Sequence, residues 1–162
     1  MQIAENQALS ADNLLKYRSH IKKDDILKLI KYIKHHLYIF DLQKNGNTIF
    51  TLVSDVSNET EFEIFVPVLG KVMQCEEFGY ESEFSLGHAI SARHEGSLAD
   101  LHKATLMLDQ YIKRNNYLPS TKMYYVVIRE GDNTEENCII DIYVGIEKYK
   151  DNSCSPKNDT EV

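Results

Sequence analysis

The sequence predicts an α+β domain in which a strand, helix, strand, strand unit occurs twice, forming an antiparallel sheet with both helices on one face. Three observations predict it. Residues 24–38 and 97–114 carry apolar side chains at helical spacing. Six other segments are rich in β-branched and aromatic residues and are bounded by polar turns. The order of these elements repeats along the chain, which is read as an internal duplication over about 12–69 and 83–147.

The first strand is expected at 14–21 and the first helix at 24–38, where Ile26, Leu29, Ile30, Ile33 and Leu37 share a stripe and Asp24 is available as N-cap. Strands at 47–56 and 61–69 follow. The segment 70–82 reads as a connection, punctuated by Gly70 and Gly79. The second unit opens with a strand at 83–93. Its helix, 97–114, carries Leu98, Leu101, Thr105, Leu108 and Ile112 on one stripe, and Ser97 and Asp100 resemble a capping box. Lys113 and Arg114 suit the negative end of its macrodipole, and Pro119 lies beyond the stop. Strands at 122–130 and 137–146 complete the unit. The polar stretch 148–162 has nothing to bury and is expected to be disordered, leaving 1–147 as one domain.

The chain has 162 residues, 43% of them hydrophobic, enough to fill one core without disulfides or metal. A net charge of −7 disfavours a phosphate backbone as partner, so no nucleic acid is expected. Cys75, Cys138 and Cys154 are odd in number and lack paired spacing, and read as thiols rather than as a zinc or redox centre. The N-terminal stretch has no basic cluster ahead of an apolar run, and no segment approaches the roughly 18 apolar residues of a membrane span, so a cytoplasmic protein with no membrane partner is expected. His35 and His36 diverge on a helix, while His94 and His102 are not at i, i+4 spacing. His94-Glu95-Gly96-Ser97 lacks the second histidine of a zinc-protease motif, and no nucleophile elbow surrounds Ser97. No cofactor, metal or catalytic triad is therefore expected. Lys22, Lys23, Lys28, Lys31, Lys34 and His35 make the first helix basic on its outer side, which reads as a solvated face or a dock for an acidic partner.

The second half carries Gly96-Ser97, Tyr111-Ile112, Asn115, Tyr124 or Tyr125, and Asp141-Ile142 with Val144 and Ile146. In this pattern it resembles the GyrI-like effector-binding domain, the ligand-binding module of multidrug-responsive regulators. Phe62-Glu63-Ile64-Phe65-Val66-Pro67-Val68 in the first half keeps the wording of that family's last strand better than the second half does. The family's pocket glutamate falls on Asp141, one methylene shorter, and its usual proline falls on Gly145. With about a dozen residues before the first expected strand, the resemblance implies a stand-alone version with no DNA-binding helices ahead of it.

The resemblance implies a cleft for a small apolar or cationic molecule, with Asp141, Glu63, Tyr124, Tyr125 and Tyr143 as ligand-binding residues. A carboxylate among aromatic rings suits a cation, because desolvation strengthens both the ion pair and the cation–π contact. Alternation along 137–146 puts Asp141, Tyr143 and Gly145 on one face and Ile140, Ile142, Val144 and Ile146 on the other. Glu63, Phe65 and Pro67 follow the same rule. The aliphatic set should meet the helices, leaving the acids solvated on the open face. The opposite placement would make them buried charges and site candidates. Two further readings stay open. One is an accessory, chaperone-like protein that binds a protein partner and has lost the pocket, with a loose association to Gram-positive secreted-toxin gene clusters. The other is a hydrolase of strained cyclopropane drugs, for which Asp141 with Tyr124 or Tyr125 is the nominated pair. The non-catalytic reading leads.

Overall fold

A computed structural model describes residues 2–56, 58–131 and 137–147. In chain order the elements are β1 (Gln2–Ile21), α1 (Ile26–Ile39), β2 (Gln43–Lys44), β3 (Ile49–Val56), β4 (Glu59–Leu69), β5 (Phe78–Gly96), α2 (Leu101–Arg114), β6 (Leu118–Arg129) and β7 (Cys138–Glu147). The seven strands form one antiparallel sheet in the order β1-β5-β7-β6-β3-β4-β2, and β1 pairs with β4 as well as with β5. Six strands thus close into a ring, with β2 appended to β4. The expected tail at 148–162, with Cys154, lies outside the described residues.

Both helices pack on one face, as the apolar stripes require. Ile26, Leu27, Ile30, Ile33 and Leu37 of α1 and Ala104, Leu108 and Ile112 of α2 are buried against Leu15, Phe50, Phe62, Ile64, Ile140, Ile142 and Val144 of the sheet. The alternation read from 137–146 holds, and the aliphatic set meets the helices. The far face carries a second, smaller core of Leu14, Ile49, Phe65 and Val126, with Phe84, Tyr124 and Tyr143 packed on it.

The helices begin alike, and not as the sequence suggested. Each starts with an extended residue, Lys22 or Ser97, then a three-residue 3-10 turn, and neither receives a side-chain cap. Asp25 N–H donates to the Lys22 carbonyl and Asp100 N–H to that of Ser97, so the backbone itself tightens the first turn. Asp24 is not a cap, and the Ser97 hydroxyl donates to the Asp100 carboxylate, 3.1 Å away, instead of completing a capping box. The helices also end alike. Asp41 and Asn116 adopt φ of 56° and 57°, and Leu42 N–H and Tyr117 N–H reach back five residues to the Leu37 and Ile112 carbonyls. Short polar side chains tolerate this left-handed position, so they stop the helices where glycine is commonest.

β1 is far longer than the expected 14–21. Its first half mixes apolar and polar residues, and its pairing with β5 shifts register on either side of Gln7, next to Asn6 at φ 56°, so no alternation marks it as a strand. Asn13, at φ 52°, hands the strand on to β4. Its side-chain amide donates to the Val68 and Gly70 carbonyls at 2.6 and 3.0 Å. β5 likewise starts at Phe78, inside the expected connection. Buried Phe78 packs on Tyr17 with ring centroids 5.4 Å apart, so Gly79 lies within a strand. Gly70 is a true break, with φ at 111° and a Leu42 methyl 2.9 Å from where a Cβ would stand.

Candidate functional site

The nominated residues divide between the two sheet faces. Tyr125 lies on the helix side, and Glu63, Tyr124, Asp141 and Tyr143 lie on the far face.

On the helix side a cleft of about 480 Å³ opens between the starts of α1 and α2. Phe50, Leu52, Phe62 and Tyr125 of the sheet line it together with Ile26, Leu98, Leu101 and Thr105 from the helices, while Lys23, Asp24 and His102 supply its charged and polar groups. The aromatic residues form an ordered set. Phe50 stacks on Tyr125 at 5.0 Å and 10°, and meets Phe62 edge-on at 5.9 Å and 73°. The Tyr125 hydroxyl lies 3.1 Å from Thr105 Oγ1, which itself donates to the Leu101 carbonyl one turn back. With the threonine proton so engaged, Tyr125 donates to Thr105 and keeps acceptor capacity for a ligand. Burial raises the Tyr125 hydroxyl above its ordinary pKa, which keeps it neutral at physiological pH. Neither Glu63 nor Asp141 reaches this cleft.

On the far face each nominated acid already has a cation. Arg93 stands opposite Asp141 in the β5–β7 register and grips both its oxygens, with Nε at 2.8 Å and a terminal nitrogen at 2.9 Å. Arg18 stands opposite Glu63 in the β1–β4 register and holds one oxygen at 2.5 Å, while the Lys16 ammonium lies 4.0 Å from the other. Glu63 is 9% exposed, so it is a paired and nearly buried charge, neither solvated nor isolated. Tyr124 and Tyr143 are register partners on β6 and β7. Burial raises both hydroxyls first, and the charges of Glu63 and Asp141 respectively raise them further. Phe84 bridges Phe65 and Tyr124, at 5.6 and 4.8 Å between ring centroids.

Of the two pairs nominated for hydrolysis, Asp141 and Tyr125 lie on opposite faces, whereas Asp141 and Tyr124 share the far face, where both carboxylate oxygens of Asp141 accept from Arg93. His94 Nε2 bonds to the Ser97 carbonyl at 2.8 Å, not to its hydroxyl. Among the described residues, no group of three or more His, Cys, Asp or Glu side chains is placed to share a metal ion, and no helix is long and apolar enough to cross a membrane. Three lysines of the basic stretch are paired, Lys23 with Asp55, Lys28 with Asp25 and Lys34 with Glu130.

Sequence reasoning missed Phe50, Phe62, Lys16, Arg18 and Arg93. Alternation separates Phe50 and Phe62 from Ile49 and Glu63, but the cations become visible only once register is known.

No family model and no curated protein matches the sequence. Among solved structures the chain is similar to EcmrR in its DNA complex, with a TM-score of 0.77 at 16% identity over 91% of this chain and 57% of that one. The isolated C-terminal domain of EcmrR gives 0.66 at 16% identity, covering 91% of this chain and 98% of the domain. A hydrolase from Listeria innocua gives 0.54 at 10% identity over 90% and 91% of the two chains. SAV2435 bound to tetraphenylphosphonium gives 0.52 at 13% identity over 91% and 93%. This chain spans little more than half of EcmrR but nearly all of its C-terminal domain. At such identities the likeness shows the fold alone, and that fold is the α+β, GyrI-like one implied by the sequence resemblance.

Proposed function

We propose that the chain is a non-catalytic binding protein that holds a small, neutral, apolar molecule in the cleft between the starts of α1 and α2. The observation that carries this reading is the cleft itself. It is large enough for a drug-sized molecule and walled by Phe50, Phe62 and Tyr125, with a few polar groups to orient the guest. A ligand-bound protein of the same fold supports small-molecule binding in general. The cleft contains no unpaired carboxylate apart from exposed Asp24, and its ammonium, Lys23, is held by Asp55. Apolar contact therefore dominates recognition.

The test uses N-phenyl-1-naphthylamine, a neutral apolar fluorophore. Saturable enhancement in the native protein, abolished by filling the cleft with Thr105→Trp while the far-UV circular dichroism is unchanged, is the expected result. Enhancement that is absent, or equal in the variant, removes the proposal.

A second reading, a protein partner, is favoured by one observation. Tyr38, Ile39 and Met73 are 90%, 71% and 71% exposed around the end of α1 and the segment after β4. Concentration-dependent self-association, abolished by Ile39→Lys, would point to that surface.

A further inference from the structure

The far face has the parts of a cation cage: a nearly buried carboxylate, Glu63, and an aromatic cluster formed by Phe65, Phe84 and Tyr124. Its cation is already present. The Lys16 ammonium lies 5.9 Å from the centre of the Phe65 ring, 3.0 Å from Glu81 and 4.0 Å from Glu63. Lys16 stands opposite Phe65 in the β1–β4 register, so the placement is built into the ladder. Its side chain is 32% exposed, which fits a stem laid along apolar surface with the charge among its partners.

We infer that Lys16 is a tethered internal cation that determines the ligand class of the far face, occupying the position an external lipophilic cation would take and excluding such cations from the native chain. A lipophilic cation leaves water for an aromatic surface when a carboxylate there lacks a partner. At this face that condition is not met. Arg18 is shared by Glu61 and Glu63, and Lys16 by Glu63 and Glu81. Asp141 is saturated by Arg93. An incoming cation would meet like charge and gain no unpaired acid. Removing the Lys16 charge leaves Glu81 without its partner and Glu63 with Arg18 alone, beside the partly buried rings of Phe84 and Tyr124. The cage then becomes available to a guest. This inference is independent of the cleft reading, because it concerns the opposite face.

The test is calorimetric titration with tetraphenylphosphonium of the native protein, Lys16→Met, Lys16→Gln and Lys16→Arg. Lys16→Met and Lys16→Gln should bind at least about tenfold more tightly than the native protein, whereas Lys16→Arg, which keeps the charge, should not. Phe65→Leu in the Lys16→Met background should remove the gain, locating it on this face. Equal binding by native protein and neutral variants, or no gain in either variant, overturns the inference. A measurement on the native protein alone does the same should the variants fail to fold. Ring-proton NMR shifts of Phe65 and Tyr124 should stay fixed under saturating phosphonium, and their movement overturns it. Shifts confined to Phe50 and Tyr125 would leave it standing and report a cation in the cleft.

Discussion

Gly145 is the position at which the sequence resemblance implies a proline, and its surroundings leave no room there for a side chain. A Cβ at 145 would stand 2.7 Å from Thr121 Cγ2, 3.0 Å from its hydroxyl and 3.1 Å from that of Ser120. The Gly145 N–H donates to Thr121 Oγ1 at 2.9 Å, at the register shift of β6 between Pro119 and Met123. Gly145→Ala keeps this bond but forces one methyl into the space of another. Overpacking of this kind costs about 1–3 kcal/mol. For a domain of this size that corresponds to a fall in Tm of roughly 2–12 °C. Thr121→Ser removes the offending methyl and keeps the acceptor, so the double variant should recover most of the loss. The assay is urea unfolding of the four proteins of the cycle. A coupling of about 1 kcal/mol or more is expected between these contacting positions. Gly145→Ala within about 0.5 kcal/mol of the native protein, or purely additive losses in the double variant, would refute the steric account. Gly145→Pro should be worse than Gly145→Ala, since it also deletes the N–H.

Three further outcomes follow from the geometry. Asn13→Ala should destabilise the fold by about 1–3 kcal/mol, through a strained left-handed residue and two lost hydrogen bonds. Asn13→Gly, which relieves only the strain, should cost less by urea unfolding. Tyr124, Tyr125 and Tyr143 are all raised above the ordinary tyrosine pKa, with burial first among the causes. The folded state therefore holds these protons more tightly than the unfolded chain. Stability should be complete below about pH 10 and decline as pH rises beyond it. Tyr125→Phe should make the alkaline limb of the urea midpoint shallower. An unchanged limb would assign it to other groups. Asp141→Asn should cost no more than about 1 kcal/mol, because Arg93 is 45% exposed, and the loss should shrink at high salt. A larger, salt-independent loss would mean the pair is buried in solution.

What the sequence reveals here is what is local. Ile140, Ile142, Val144 and Ile146 declare a face because burial repeats every second residue, and Ile26, Ile30, Ile33 and Leu37 declare one by helical spacing. The first half of β1 is illegible for the converse reason. Asn6 and Asn13 take left-handed backbone angles that interrupt the alternation, so Ile3 packs on the helix-side core while Leu9 and Ala11 pack on the far-face core with no regular period to announce a strand. The helix stops at Asp41 and Asn116 look like ordinary surface residues until their φ is known. The candidate sites fall in the same division. Tyr124, Tyr125, Glu63 and Asp141 could be nominated from residue type, yet their allocation to faces decides which can act together. The arginines that neutralise the acids are cross-strand partners 45 and 48 residues away. Only register brings them into contact. The cleft is a junction of two 3-10 turns, the first turns of the two helices and three strands from distant parts of the chain.

The closure of six strands through β1 has a consequence for solubility. A ladder that returns to its starting strand leaves few unsatisfied edges on which another chain could template, which blunts the usual hazard of a β-rich protein. That protection rests on one strand. Deleting residues 2–12 would bare the β5 amides and carbonyls now paired from Glu83 to Arg93, converting an internal seam into an aggregation-prone border.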